Sequence, residues 1–163
     1  RSSDNTWYIN KSSGGFSFVT WGTAGDVAVT GDFDGDNKAD QTVFRAGQWI
    51  TNKSTGGVSI TPWGNATDLL VPADYDGDNK DDLAVFRPSD GTWYVSKSSG
   101  GFSFVTFGQN GDVPVPGDYD GDGKDDQAVY RNGNWYLNRS TSGFAASAFG
   151  TATDKTIPRA YLP

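Results

Sequence analysis

Asp118-Tyr-Asp-Gly-Asp-Gly-Lys-Asp-Asp126 is one of three copies of a single nine-residue pattern; the others are Asp32-Phe-Asp-Gly-Asp-Asn-Lys-Ala-Asp40 and Asp74-Tyr-Asp-Gly-Asp-Asn-Lys-Asp-Asp82. Each copy sets carboxylates at positions 1, 3, 5 and 9. Two unit charges about 4 Å apart repel by about 4 kcal/mol at an effective dielectric of about 20. A folded chain that repeats such crowding three times needs a cation to neutralise it. The donor set is hard oxygen, with no His and no Cys anywhere in the chain, and clustered Asp around a loop glycine is a calcium-holding arrangement.

The loop differs from an EF-hand, which has 12 residues, Gly at position 6 and a bidentate Glu at position 12. Here the last carboxylate falls at position 9, and the chain contains no Glu. Position 4 is Gly35, Gly77 and Gly121, and position 6 is Asn37, Asn79 and Gly123, residue types that tolerate a left-handed backbone. Position 7 is Lys38, Lys80 and Lys124; its main-chain carbonyl, rather than its ammonium, is expected to face the ion. The expected ligand sets are thus Asp32, Asp34, Asp36, Lys38 and Asp40; Asp74, Asp76, Asp78, Lys80 and Asp82; and Asp118, Asp120, Asp122, Lys124 and Asp126, three Ca²⁺ sites in all. An acidic surface turn is the plain alternative for one copy, but three copies at matching places in a repeat argue against it.

The rest of the chain repeats around these loops. Trp7, Trp49, Trp93 and Trp135 lie 42, 44 and 42 residues apart. Each heads an aromatic or β-branched run (Trp7-Tyr-Ile, Trp49-Ile-Thr, Trp93-Tyr-Val, Trp135-Tyr-Leu) that reads as a strand. A Ser/Thr/Gly turn follows, and then a second strand expected over Phe16–Gly22, Val58–Gly64, Phe102–Gly108 and Phe144–Gly150. A third begins near Val27, Leu69, Val113 and Thr156 and enters the Asp loop. A fourth leaves the loop as Gln41–Arg45, Leu83–Arg87 and Gln127–Arg131. No stretch has a 3.6-residue apolar period, so essentially no helix is expected.

A longer period overlies the short one. Residues 1–76 align with 87–162 without a gap, and Arg1 and Arg87 stand six residues before their Trp while Arg45 and Arg131 stand four before theirs. The expected modules are 23–64, 65–108 and 109–150, plus a split one made of 1–22 and 151–163. In the split module residues 1–22 supply the last two strands, 151–163 the first, and the second is absent. Ala160, Leu162 and Pro163 replace the Asp74, Asp76 and Gly77 of the earlier loop, so a fourth loop should bind no calcium.

Four-stranded units of 42–44 residues have the blade length of a β-propeller. The run Gly117-Asp-Tyr-Asp-Gly-Asp-Gly-Lys-Asp-Asp-Gln-Ala-Val-Tyr130 resembles the FG-GAP/VCBS repeat of integrin α-chain propellers and of many secreted proteins. That resemblance covers nearly the whole chain. It implies an all-β propeller of about four blades, with calcium held between the first two strands of each. Integrin-type propellers have seven blades, so this chain is expected either to stay open or to be completed by a neighbouring subunit.

Composition bounds the function. The formal charge is −7, all 20 acidic residues are Asp, and twelve of these are the loop positions 1, 3, 5 and 9. Three Ca²⁺ would bring the molecule near −1, so the acidity is mainly a metal-site inventory and argues against nucleic acid as a partner. No run is apolar enough for a membrane span. Loops of this kind suit calcium near millimolar, an extracellular level, which points to an extracellular or cell-surface location. The chain opens on Arg1 rather than Met, which points to a removed upstream segment. Asn10, Asn52, Asn65 and Asn138 begin Asn-x-Ser/Thr sequons that a chain so rich in these residues would contain by chance.

Catalysis is not expected. No Ser sits in a nucleophile elbow, no Gly-rich loop opens a helix, and triplicated carboxylates are the wrong signature for the unlike acid–base pair of a glycosidase. Arg45, Arg87 and Arg131 are expected to pair with Asp or stack on the next strand's Trp, and the Trp series is expected in the core. The leading functional expectation is a structural, adhesive or head-to-tail assembling module. A carbohydrate-binding lectin and an accessory propeller of a larger secreted enzyme are the alternatives, with glycans or other surface proteins as further partners.

Overall fold

The computed structural model describes residue 1 and residues 3–156. Among these residues the fold is all β, with fourteen strands and no helix. Strands β1 (Thr6–Asn10) and β2 (Phe16–Thr20) form a two-stranded sheet. Three four-stranded antiparallel sheets follow, each in simple chain order. The first holds β3 (Val27–Gly31), β4 (Asp40–Arg45), β5 (Gln48–Asn52) and β6 (Val58–Pro62). The second holds β7 (Leu69–Leu70), β8 (Leu83–Arg87), β9 (Thr92–Ser96) and β10 (Phe102–Thr106). The third holds β11 (Val113–Pro114), β12 (Gln127–Arg131), β13 (Asn134–Arg139) and β14 (Gly143–Ala148). The arrangement is propeller-like, and the described residues do not close it into a ring. The strand and decayed loop expected over Thr156–Pro163 lie, beyond Thr156, outside the described residues.

The outer strands end about two residues earlier than expected. Gly22, Gly64, Gly108 and Gly150 have φ of 96°, 84°, 125° and 106°, a backbone that leaves the pleat and turns the chain toward the next sheet. The inner strands β7 and β11 have two residues against five in β3, and Pro72 and Pro116 stand where β3 has Thr30, at positions whose N–H faces away from the ladder; just before them Val71 N–H still donates to Ala84 O (3.0 Å) and Val115 N–H to Ala128 O (2.8 Å). The ladder nonetheless resumes beyond each proline, at Ala73 opposite Asp82 and Gly117 opposite Asp126. The alternation of 42- and 44-residue spacing has a local cause. Ala46-Gly47 and Asn132-Gly133 form two-residue hairpin turns with both residues at positive φ, whereas Pro88–Gly91 spans the corresponding gap in the second sheet with four residues.

The core lies between successive sheets. Val29, Phe44 and Trp49 of the first pack with Val85 of the second. Phe86, Trp93 and Val95 of the second pack with Val129 of the third. Trp49 and Trp93 are fully buried. The indole N–H of each repeated Trp donates to a main-chain carbonyl just past its own outer strand: Trp7 to Trp21 (3.1 Å), Trp49 to Trp63 (3.0 Å), Trp93 to Phe107 (2.8 Å) and Trp135 to Phe149 (2.9 Å). The series is therefore a satisfied structural element. Stitching between sheets is equally regular. Trp21 Nε1 donates to Ile50 O and Trp63 Nε1 to Tyr94 O, each carbonyl belonging to the following sheet.

Candidate metal centres in three repeated loops

Each Asp loop joins the first two strands of a four-stranded sheet, and its second residue anchors it to the core. Phe33, Tyr75 and Tyr119 lie against Trp49, Trp93 and Trp135 with ring centroids 6.1, 6.3 and 6.4 Å apart. The Tyr75 and Tyr119 hydroxyls also donate to Val71 O and Val115 O. With position 2 turned inward, alternation turns positions 1 and 3 the other way. Glycines at φ 83°, 82° and 77° (Gly35, Gly77, Gly121) and left-handed Asn37, Asn79 and Gly123 then curl the chain around a common centre.

The result is the same three times. Ligand atoms of Asp32, Asp34 and Asp36 lie within 4.8 Å of one another, as do those of Asp74, Asp76 and Asp78, and those of Asp118, Asp120 and Asp122. Oxygens on opposite sides of a calcium ion at 2.3–2.6 Å are about 5 Å apart, so these spacings fit one hard cation per loop. The position-1 carboxylate is held by main-chain donors. Asp32 accepts from Gly35 N (2.6 Å), Asp36 N (3.2 Å) and Asn37 N (2.7 Å); Asp74 and Asp118 repeat the set. The position-5 carboxylate accepts the N–H of the Lys two residues on, at 3.0, 2.9 and 2.9 Å for Lys38, Lys80 and Lys124. In the first loop the Lys38 ammonium also sits on Asp36, at 2.6 Å.

Position 3 is different. Asp34 Oδ1, Asp76 Oδ1 and Asp120 Oδ1 are buried and have no hydrogen-bond partner. A buried carboxylate oxygen without a donor is costly to keep, and the same atom is orphaned in every loop. A cation at the centre of the cluster would satisfy it.

Asp40, Asp82 and Asp126, at position 9, lie outside those three-residue clusters and brace the loop from below. Each is buried and spends both oxygens on main-chain N–H groups. Asp82 accepts from Tyr75 N (3.1 Å) and Ser98 N (2.7 Å), and Asp40 and Asp126 do the same with Phe33 and Ser54, and with Tyr119 and Ser140. Burial raises the pKa of all three, that of Asp82 to about 6. In the third loop the reverse holds for the cluster itself. The Gly123 N–H, with its neighbours, lowers Asp118, and the Ser140 and Thr141 hydroxyls lower Asp122. Positions 1 and 5 there are poised as anions.

Those hydroxyls belong to the site, although in the sequence they read as an ordinary Ser/Thr/Gly turn. The Ser/Thr residues after β5, β9 and β13 fold over the loop. Ser54 and Ser98 donate to Asp36 and Asp78 at 2.7 Å, Ser140 to Asp122 at 2.5 Å, and Thr55 and Ser99 to Asp34 and Asp76 at 2.6 and 2.5 Å. Their recurrence at one offset in every module is the signal that marks them.

The strand-terminal arginines form a separate set. Arg45, Arg87 and Arg131 make two-pronged pairs with Asp26, Asp68 and Asp112. Arg87 and Arg131 stack on Tyr94 and Tyr136, with Arg1 on Tyr8, rather than on Trp. Trp93 and Tyr94 are neighbours on one strand and face opposite ways; the Trp takes the core side and leaves Tyr to the Arg.

Residues 74–129, which hold the second loop, its sheet and the third loop, match the family described as FG-GAP-like repeat. No curated protein matches the chain.

Proposed function

From a chain that carries an FG-GAP-like repeat and is a β-propeller-type module, we propose that the protein is a calcium-stabilised, non-catalytic extracellular or cell-surface module that works in structure, adhesion or head-to-tail assembly. The observation that carries the calcium reading is the orphaned position-3 oxygen, repeated as Asp34, Asp76 and Asp120. Ca²⁺, bound there, supplies positive charge and no reactive chemistry; Asp32, Asp34 and Asp36 and their counterparts would hold it. The Ser/Thr turn and the position-9 Asp keep those carboxylates converged without it. The extracellular reading rests on the fit of such sites to millimolar calcium, and no helix among the described residues is long and apolar enough to cross a membrane.

Support for assembly comes from exposed features of two sheets. Strand β1 pairs only with β2 among the described residues, and its other edge can take a further strand, from the same protein or from a neighbour. Phe149, the counterpart of Trp21, Trp63 and Phe107, is 77 % exposed. Head-to-tail contact of this kind is heterologous and gives a ring or a filament according to its rotation.

Thermal melting and sedimentation in millimolar Ca²⁺ and in EDTA test both halves. Each site filled to tenfold over its dissociation constant contributes about 1.4 kcal/mol, so three contribute about 4 kcal/mol. A clearly higher melting temperature and a larger species are expected in calcium. Equal melting would remove the calcium reading, and a monomer in both buffers would remove assembly.

A further inference from the structure

Loop position 8 is Ala39, Asp81 and Asp125 in the three copies, and the two carboxylates there act on the loop before their own. Asp81 Oδ2 accepts the main-chain N–H of Asp32 at 2.8 Å, while the Asp81 N–H donates to Asp32 O at 2.7 Å. Asp125 grips Asp74 in the same two-point way, at 3.0 and 2.6 Å. Asp32 and Asp74 are the position-1 members of their clusters, so their main chain is fixed by the next module while their carboxylates are fixed by their own loop. A second contact runs alongside. A Cβ on Gly35 would come within 2.6 Å of Lys80 Cε, and one on Gly77 within 3.2 Å of Lys124 Cγ, while one on Gly121 would meet nothing within 4 Å. Gly31 makes room for the Asp81 carboxylate itself, since a Cβ there would sit 2.6 Å from Asp81 Oδ2. Among the described residues, the first and second loops are thus clasped by the loop that follows, and no such clasp reaches Asp118.

We propose that Asp81 and Asp125 are positioning residues that couple neighbouring metal sites, so that the three loops fill cooperatively through adjacent pairs and not independently. This rests on the calcium reading above. The reason is geometric. Asp81 belongs to the second loop, between Lys80 and Asp82, and an ion that orders that loop also orders the group holding Asp32. By linkage the effect runs equally in both directions. The first and third sites share no clasp and communicate only through the second.

Backbone NMR of the isotopically labelled full chain during a calcium titration separates the sites, because Gly35, Gly77 and Gly121 give one loop amide each. In Asp81→Ala the calcium concentration for half-response at Gly35 should rise about fivefold, the equivalent of one ordinary hydrogen bond, with a much smaller shift at Gly121. Asp81→Asn, which retains an oxygen acceptor and the N–H, should restore the response to within about twofold. Silencing the second site with Asp76→Asn should also weaken the response at Gly35, and this variant decides the matter if Asp81→Ala fails to fold. A Gly35 response untouched by Asp81→Asn, Asp81→Ala and Asp76→Asn alike, in a protein whose wild type fills three sites, would overturn the coupling alone. A wild type in which none of the three glycines responds would overturn the calcium reading and the coupling with it.

Discussion

The protein takes Asp carboxylate oxygens out of water in two places and treats them in opposite ways. Asp68 and Asp112 have no exposed side-chain surface, and each meets an Arg guanidinium two-pronged and a turn N–H besides. Asp34, Asp76 and Asp120 each bury an oxygen that meets nothing, and each has two further carboxylates within ligand distance. The chain therefore has the means to neutralise a buried Asp with its own cation, and uses it three times at the strand ends. In the loops, apart from the Lys38 ammonium on the outer side of Asp36 in the first, it supplies N–H and O–H donors to every carboxylate but gives the position-3 oxygen no partner. Carboxylates braced toward a shared point and left uncancelled are what a site for an external cation requires.

That contrast predicts opposite responses to calcium. Arg87→Ala strands Asp68 as a buried, unpaired charge and should cost about 3 kcal/mol, equally in Ca²⁺ and in EDTA; chemical denaturation in the two buffers checks this. Arg45→Ala should cost less, because the Arg45 side chain is 45 % exposed and water can serve Asp26. A strong calcium dependence of the Arg87→Ala cost would mean that the two sets are not separate.

Asp76→Asn should do the reverse. In calcium it loses one ion and about 1.4 kcal/mol at tenfold saturation. In EDTA it relieves repulsion among Asp74, Asp76 and Asp78 and should raise stability slightly. Paired unfolding curves read this sign change, and destabilisation of the same size in both buffers would make Asp76 a structural residue only.

The smallest effect is on pH. Burial raises Asp82 to about 6 from an ordinary 3.8, and Asp40 and Asp126 move the same way. The calcium-free native state holds protons there that the unfolded chain has released. That contribution is fully present below the ordinary value and fades as pH rises through about 6. In EDTA, lowering the pH from 7 to 5 should therefore raise the melting temperature. In calcium the same change should lower it, since protons compete with the ion for these loops. Parallel trends in both buffers would contradict the assignment.

The sequence made the loops and the strand order legible because both are local. Asp at fixed spacing around Gly35, Gly77 and Gly121 marks the loop, and aromatic runs between Gly/Ser turns mark the strands. What escaped was set by contacts between distant residues. Asp81 reaches Asp32 across 49 positions and Asp125 reaches Asp74 across 51, and nothing in a single module distinguishes position 8. The Ser54, Ser98 and Ser140 hydroxyls come over the loop only once the β4–β5, β8–β9 and β12–β13 hairpins have formed. The Arg–Tyr stacks depended on which face of β9 and β13 turned inward, a matter of register rather than composition.

The most direct test of the account is a count of bound calcium, by isothermal titration with elemental analysis of the dialysed protein. Wild type should bind three Ca²⁺ per chain, Asp120→Asn two, and the triple variant Asp34→Asn/Asp76→Asn/Asp120→Asn none. A wild type that binds no calcium, or a triple variant that still binds three, would contradict it.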